Sequence, residues 1–328
     1  MKLARYVGDG KVEIVDEPVP ACPPGGLLVK TEACGLCSGE LMSWYMDQKI
    51  PHVLGHEVSG VVVESQDERY PVGSKVFPHH HAACMECALC LAGLQVHCGR
   101  WRNTKLIPGG MAEFFAVPRK NLTDTLHVED MRPVDAALIE PLACVMKSLR
   151  LGGWDPDRAR ANGEWGFQVN VIGLGVMGLM HMLTLDSEAT GCDLNPSRVE
   201  WARGLGLRAG VLDNWVTVAD LIIVCPGSQQ AFNTAVAMAR PGATIVMFAP
   251  LAPSQELTLP QALYFKDIKV VQSYSCGPDD TRAAADAIRA GKLRAEQVVS
   301  DFIGIDELPE AYGRMKTGEI LKPMVVFE

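Results

Sequence analysis

The chain lacks the features that would place it in a bilayer or on a polyanion. No run of about 18 apolar residues is present, so no segment is built to span a membrane as a helix. There is no excess of positive charge either. Thirty Lys and Arg stand against 39 Asp and Glu, for a net charge of −9. Nucleic acid and anionic lipid both require a basic patch, so neither is expected as a partner. The opening residues Met1-Lys2-Leu3-Ala4-Arg5-Tyr6 lack the apolar core of a signal peptide, and a cytoplasmic protein is expected. Internal repeats and low-complexity tracts are missing. So is the pattern of a disulfide framework: of 11 cysteines, four crowd into 84–98 and the others are scattered. Clustered cysteines in a chain of this kind point to metal rather than to cross-links.

What is present is ordinary globular composition, 48% hydrophobic and 21% charged over 328 residues, a length that suggests about two domains. Residues 1–80 read as short strands punctuated by Pro and Gly, with strands expected at 11–15, 26–33, 55–63 and 75–77 and another at 110–117. Residues 133–149 carry one helical apolar stripe. From residue 168 strands alternate with helices. Strands are expected at 167–172, 189–193, 220–225, 243–248 and 268–273, with helices at 176–185, 198–205 and 230–239. Continuous apolar strands in that alternation imply a parallel sheet covered on both faces. A helix at 279–290 and a strand at 324–327 end the chain.

Three local patterns carry chemistry. Cys84-Met85-Glu86-Cys87-Ala88-Leu89-Cys90, followed after seven residues by Cys98, can bring four thiolates to one point. Four sulfurs leave no open position, so the metal there is structural. An iron–sulfur cluster uses the same donors, and four unpaired buried thiols are the bland alternative. The second pattern is Gly173-Leu174-Gly175-Val176-Met177-Gly178, directly after a strand and opening a helix. There Gly173 makes the turn, Gly175 admits a pyrophosphate and Gly178 lets helix pack on strand. Asp193, twenty positions after Gly173, stands where a ribose-binding carboxylate is expected. It favours NAD over NADP, with Arg198 as the residue able to accommodate a 2′-phosphate. The bland alternative is that Asp193 caps the next helix. Third, Gly55-His56-Glu57 sets an imidazole beside a carboxylate, and Cys37 and Glu140 offer further ligand types for Zn²⁺. The run His79-His80-His81 is read as solvated or packed histidines in preference to ligands.

These pieces, in this order, resemble a zinc-dependent medium-chain dehydrogenase/reductase of the alcohol dehydrogenase superfamily. Gly35-Leu36-Cys37-Ser38 is similar to that family's first zinc-ligand motif, and Gly55-His56-Glu57 to its second. Glu140-Pro141-Leu142-Ala143-Cys144 resembles the polyol (sorbitol or iditol) and threonine dehydrogenase branch. The resemblance implies an α/β chain with two domains. One is a GroES-like β-rich catalytic domain, 1–145 and 276–328, carrying the structural zinc lobe 84–98. The other is a Rossmann NAD-binding domain with a doubly wound parallel sheet, 146–275. It implies two zinc ions per subunit, one catalytic and one structural. Cys37 and His56 would be ligands, Glu57 a ligand or close partner, and Glu140 a ligand directly or through water. Zinc would polarise the alcohol oxygen while hydride passes to the nicotinamide.

The implied substrate is a small-molecule secondary alcohol or ketone: a polyol, sugar or amino alcohol. The implied assembly is a homodimer or homotetramer joined at the edge strand near 270–273. Two alternatives share the residues: a non-catalytic dinucleotide-binding protein of the same fold, and a biosynthetic ketone reductase using NAD(P)H. The sequence departs from the family at Gly39, where a relay hydroxyl is usual, and at Met42, where a relay histidine often sits. Ser38, Ser43, Glu40 or water must then carry the proton. Cys34, three before Cys37, is read as a structural thiol. The stretch between Leu205 and Asp220 leaves room for little more than a strand and a turn.

Overall fold

The computed structural model describes residues 1–155, 166–185, 189–212 and 217–328. Backbone packing divides it into two units: Met1–Ala143 with Cys276–Glu328, and Cys144–Ser275.

In chain order the strands are β1 (Lys2–Gly8), β2 (Lys11–Asp16), β3 (Leu27–Gly35), β4 (His52–Val53), β5 (Glu57–Ser65), β6 (Lys75–Pro78), β7 (Phe114–Val117) and β8 (Thr125–His127). The second unit holds β9 (Val169–Ile172), β10 (Ala189–Asp193), β11 (Ala209–Val211), β12 (Ala219–Val224), β13 (Ala239–Met247) and β14 (Lys269–Gln272). The chain returns to the first unit with β15 (Asp301–Ile303) and β16 (Pro323–Val326).

The first unit is GroES-like and β-rich. A small sheet of order β2-β1-β4 accompanies a larger one of order β15-β16-β3-β5-β6-β8, with β7 also paired to β3. The β3–β5 register is what positions the site. Its antiparallel ladder sets Gly35 opposite Glu57 and Cys34 opposite Val58. Residues just past the end of β3 therefore meet residues at the start of β5. On the other side of β3, β16 sets Met324 opposite Gly35. Three segments remote in sequence thus converge at one sheet end. Gly35 has to be glycine there, because a Cβ would overlap the Glu57 carboxylate and press on Lys322.

The second unit is a Rossmann-type parallel sheet of order β11-β10-β9-β12-β13-β14. β9 is buried at all four positions, as a parallel strand covered on both faces must be. Its one polar residue, Asn170, is satisfied: its amide donates to the Thr217 carbonyl at 2.7 Å, and its oxygen accepts from Thr190 and Thr217 hydroxyls at 2.6 and 3.0 Å. β14 is an edge strand. The short stretch between Leu205 and Asp220 holds β11, and residues 213–216 within it lie outside the described residues.

Most expected elements fall within a residue or two of their observed bounds. Two differ for physical reasons. The stripe at 133–149 is two helices, Pro133–Ala136 and Ile139–Leu151. Pro141 explains the break: its ring would clash with the carbonyl four residues back, so it tolerates only a first-turn position. The strand expected at 110–117 begins only at Phe114. Met111 instead exchanges backbone bonds with Leu54 and Ala4.

Candidate active site

Cys37, His56 and Glu57 meet at the shared end of β3 and β5. One ligand atom from each lies within 4.8 Å of the others. Cys37 is the N-cap of a short turn, and the Gly39 N–H donates to its Sγ at 3.4 Å. Burial pushes the Cys37 thiol up, with His56 opposing. His56 Nδ1 stands 3.3 Å from Glu40 Oε1. Burial disfavours the His56 cation, but the Glu40 carboxylate and Cys37 outweigh it and hold His56 well above its ordinary range. Glu40 is buried and fully engaged: it accepts from the Gly55 N–H at 2.8 Å and from the Cys37 N–H at 3.3 Å. A carboxylate on one ring nitrogen orients the other toward an ion, the usual support of a metal-binding histidine.

Glu57 is almost wholly buried and forms an ion pair with Lys322, whose side chain is 2% exposed. The Lys322 ammonium also donates to the Leu36 carbonyl at 2.9 Å. Burial pulls the Lys322 pKa down, but Glu57 and Cys37 together keep it above its ordinary value. The Lys322 ammonium sits on Glu57 Oε2. A carboxylate beside a thiol and an imidazole is a donor set that suits Zn²⁺ in type and number. Glu140 is not in this group. Its charge is felt at Cys37, but its carboxylate clusters with His79 and Cys276.

The four-cysteine lobe closes on itself. Ligand atoms of Cys84, Cys87, Cys90 and Cys98 lie within 4.8 Å of one another. The Sγ atoms of Cys84 and Cys87 are 3.8 and 3.5 Å from that of Cys90. All four cysteines are free of disulfides. A tetrahedral site with Zn–S bonds of about 2.3 Å has sulfur–sulfur edges of about 3.8 Å, so the spacing suits a shared ion. Backbone N–H groups favour thiolate at Cys84 and Cys98, whereas burial pushes the Cys90 thiol up to about 12. The N–H groups of Glu86 and Cys87 pull Cys84 down, and at Cys98 those of Cys84, Trp101 and Arg100 outweigh burial. Ala83, Val96 and Trp101 supply the lobe's own small core.

In the second unit the turn at 173–178 links β9 to the helix Val176–Leu185. Gly173 has φ +91°. A Cβ on Gly178 would overlap the Gly173 carbonyl oxygen, whereas one on Gly175 would meet only the Arg198 guanidinium, 4.0 Å away. The backbone at Gly175 is therefore open to an approaching group. Leu174, Val176 and Met177 complete the turn and the first helical residues, whose N–H groups suit an anion. Asp193 ends β10. Its two oxygens accept from the Leu174 and Asn195 N–H groups at 2.7 and 2.8 Å. It does not cap the following helix. Asn195 does, through a 2.9 Å bond from the Ser197 N–H. Arg198 Nη1 lies 3.7 Å from Asp193 Oδ2.

Sequence reasoning missed Lys322 and the grouping of His79 and Cys276 with Glu140. Lys322 carries no local signal, since only the β16–β3 register brings it to Glu57. The histidine run was the one available hint for His79.

Comparison with known proteins adds to this geometry. The sequence profile of the alcohol dehydrogenase GroES-like domain matches residues 23–127. The D-altritol 5-dehydrogenase of Agrobacterium fabrum strain C58 is 29% identical over 328 residues, covering 94% of each chain. The alcohol dehydrogenase of Geobacillus stearothermophilus is 26% identical, covering 94% of this chain and 93% of its own. Among solved structures, a Sinorhizobium meliloti 1021 chain described as a zinc-binding dehydrogenase, with NADP bound, superposes with a TM-score of 0.85 at 25% identity. It covers 99% of both chains.

Proposed function

Because the chain belongs to the zinc-dependent medium-chain dehydrogenases/reductases and is polyol-dehydrogenase-like within them, we propose that it oxidises a secondary alcohol of a polyol, sugar or amino alcohol with NAD. It is an oxidoreductase that moves hydride between a secondary alcohol and a nicotinamide coenzyme. The proposal adds one zinc held by Cys37, His56 and Glu57, with the Glu140 charge close by, and a second, structural zinc on Cys84, Cys87, Cys90 and Cys98. The observation that carries it is the meeting, within 4.8 Å, of sulfur, nitrogen and oxygen donors from just past the end of β3 and from the start of β5.

When bound, zinc supplies a Lewis acid that polarises the alcohol oxygen and eases loss of its proton. The chain's own residues do the rest. Gly39 N–H and His56 favour the Cys37 thiolate, Glu40 fixes the His56 ring, and Lys322 balances the charge of Glu57. Of the candidate proton carriers, Glu40 is committed to its three partners, and Ser43 bonds Tyr6. Ser38 is exposed and adjacent to Cys37. Ser38, with solvent, therefore takes the alcohol proton. NAD is favoured because Asp193 places a carboxylate at the end of β10, where it repels a 2′-phosphate. Arg198 is already drawn to that carboxylate.

The same reading makes the protein a cytoplasmic homo-oligomer that pairs through β14. Tyr264, Phe265 and Tyr274, 80%, 73% and 58% exposed, flank that open edge and support pairing there. No described helix is long and apolar enough to cross a membrane.

The test is a steady-state screen. Zinc-loaded protein is given NAD or NADP with polyols, sugars and 3-hydroxy amino acids. Turnover with NAD on at least one polyol or amino alcohol is expected, with a higher kcat/KM than NADP gives. No turnover on any class, or a preference for NADP, overturns the corresponding half. Sedimentation of a monomer would remove the assembly.

A further inference from the structure

A second buried cluster lies beside the first and is not used by the chemistry above. His79 directly follows β6, Glu140 sits in the first turn of the helix Ile139–Leu151, and Cys276 shortly precedes the helix Pro278–Arg289. One ligand atom from each lies within 4.8 Å of the others. His79 and Cys276 are 0% exposed and Glu140 is 5% exposed. An imidazole, a thiol and a carboxyl sharing one dry point is a costly arrangement unless something compensates it.

The ring of His79 is held in a particular way. Its Nδ1 is 2.7 Å from Asp124 Oδ2. Asp124 is itself 0% exposed, and its other oxygen accepts from the Thr281 hydroxyl at 2.6 Å. Burial opposes the His79 cation, but Cys276 and Asp124 together outweigh it and raise the His79 pKa well above its ordinary value; in the neutral ring with Nδ1 donating to that carboxylate, the form a metal ion selects, Nε2 keeps a lone pair. That is the orientation found behind metal-binding histidines. Nε2 points at Cys276 Sγ, 3.6 Å away. Zinc bonds of about 2.0–2.1 Å to nitrogen and about 2.3 Å to sulfur at a tetrahedral angle give a nitrogen–sulfur edge of about 3.6 Å. His80 belongs to neither cluster. Its ring lies between the two clusters, with centroids 4.8 Å from His56 and 5.0 Å from His79. Its Nδ1 is buried and has no hydrogen-bond partner among the described residues.

We propose that His79 Nε2, the Glu140 carboxylate and Cys276 Sγ form a further metal site, separate from both the Cys37 set and the four-cysteine set. Mixed nitrogen, oxygen and sulfur donors select a borderline-soft divalent cation of the zinc type. The site neighbours the Cys37 set, and the charge of Glu140 acts on both. A Cys276–His79–Asp124 nucleophile fits less well. Its sulfur is sealed from any substrate, and the Glu140 carboxylate beside it opposes a thiolate. A divalent cation accommodates thiolate and carboxylate together.

The experiment uses full-length protein, zinc-loaded and then desalted, with metal counted by mass spectrometry. Wild type is expected to retain about three zinc ions per chain and Cys276→Ser about two. Cys37→Ser is expected to retain about two, and the double variant about one. Wild type at about two, with Cys276→Ser unchanged, overturns the site and leaves the proposed function standing. Loss of metal only in Cys37→Ser has the same meaning. If Cys276→Ser fails to fold, an anomalous-difference map of zinc-loaded wild-type crystals decides. A peak within bonding distance of both His79 Nε2 and Cys276 Sγ supports the site. A map with peaks only at the other two centres, as a plain thiol–imidazole hydrogen bond would give, refutes it.

Discussion

Replacing Lys322 with methionine should be the most damaging single change that leaves every candidate metal ligand in place. Methionine has a similar length and fills the same volume, so the loss is electrostatic. In the metal-free protein the Glu57 carboxylate, 1% exposed, would lose its cationic partner, and the Leu36 carbonyl would lose its donor. Breaking a buried pair by removing one partner costs about 3–5 kcal/mol. For a unit of this size that is a fall in Tm on the order of 10 °C. The pair also has a pH signature. The folded protein holds Lys322 above its ordinary 10.5, so its contribution is complete at neutral pH and is lost only as pH rises past about 10.5. The assay is urea denaturation of the metal-free protein followed by far-ultraviolet circular dichroism. It compares wild type, Lys322→Met, Glu57→Gln and the double variant. The double variant should recover part of the loss, with a coupling energy of about 1–3 kcal/mol. A cost below about 1 kcal/mol for Lys322→Met, or strict additivity in the double variant, would show that the two charges do not depend on each other.

Three other outcomes are expected. Gly178→Ala pushes a methyl into the Gly173 carbonyl oxygen; overpacking of about 1–3 kcal/mol should weaken NADH binding roughly tenfold in a fluorescence titration, and unchanged affinity would contradict the turn's role. His181 is buried between the Ser148 hydroxyl and the Met177 carbonyl, and burial lowers its pKa to about 4. Because the unfolded chain binds that proton more readily, stability should fall as pH drops from about 6.5 toward 4, by about 3 kcal/mol in all. His181→Gln should lack that slope, so its gap from wild type should narrow in denaturation curves taken at decreasing pH; parallel curves would refute it. Cys90→Ser should remove one metal and open the lobe. Limited proteolysis should then cut within 84–103, and Trp101, now 2% exposed, should become quenchable; a variant as resistant as wild type would argue against a structural ion.

Whatever depends on short separations along the chain was legible from the residues alone. The four-cysteine spacing, the glycine turn after β9 and the strand–helix alternation are local geometry, so they could be read before any fold was known. Cys37 and His56 were legible because each sits in a motif of its own. The single stripe at 133–149 misled because apolar spacing does not register a missing N–H. Pro141 divides it into two helices. Which residues meet across long separations is set by the packed fold. The β16–β3 and β3–β5 registers bring Lys322 to Glu57. Glu140 was expected beside Cys37 and His56, but its carboxylate groups with His79 and Cys276. Pairing between distant segments is set by the packing of the whole sheet. No local pattern encodes it, because a carboxylate on a helix carries no mark of which strand it will face.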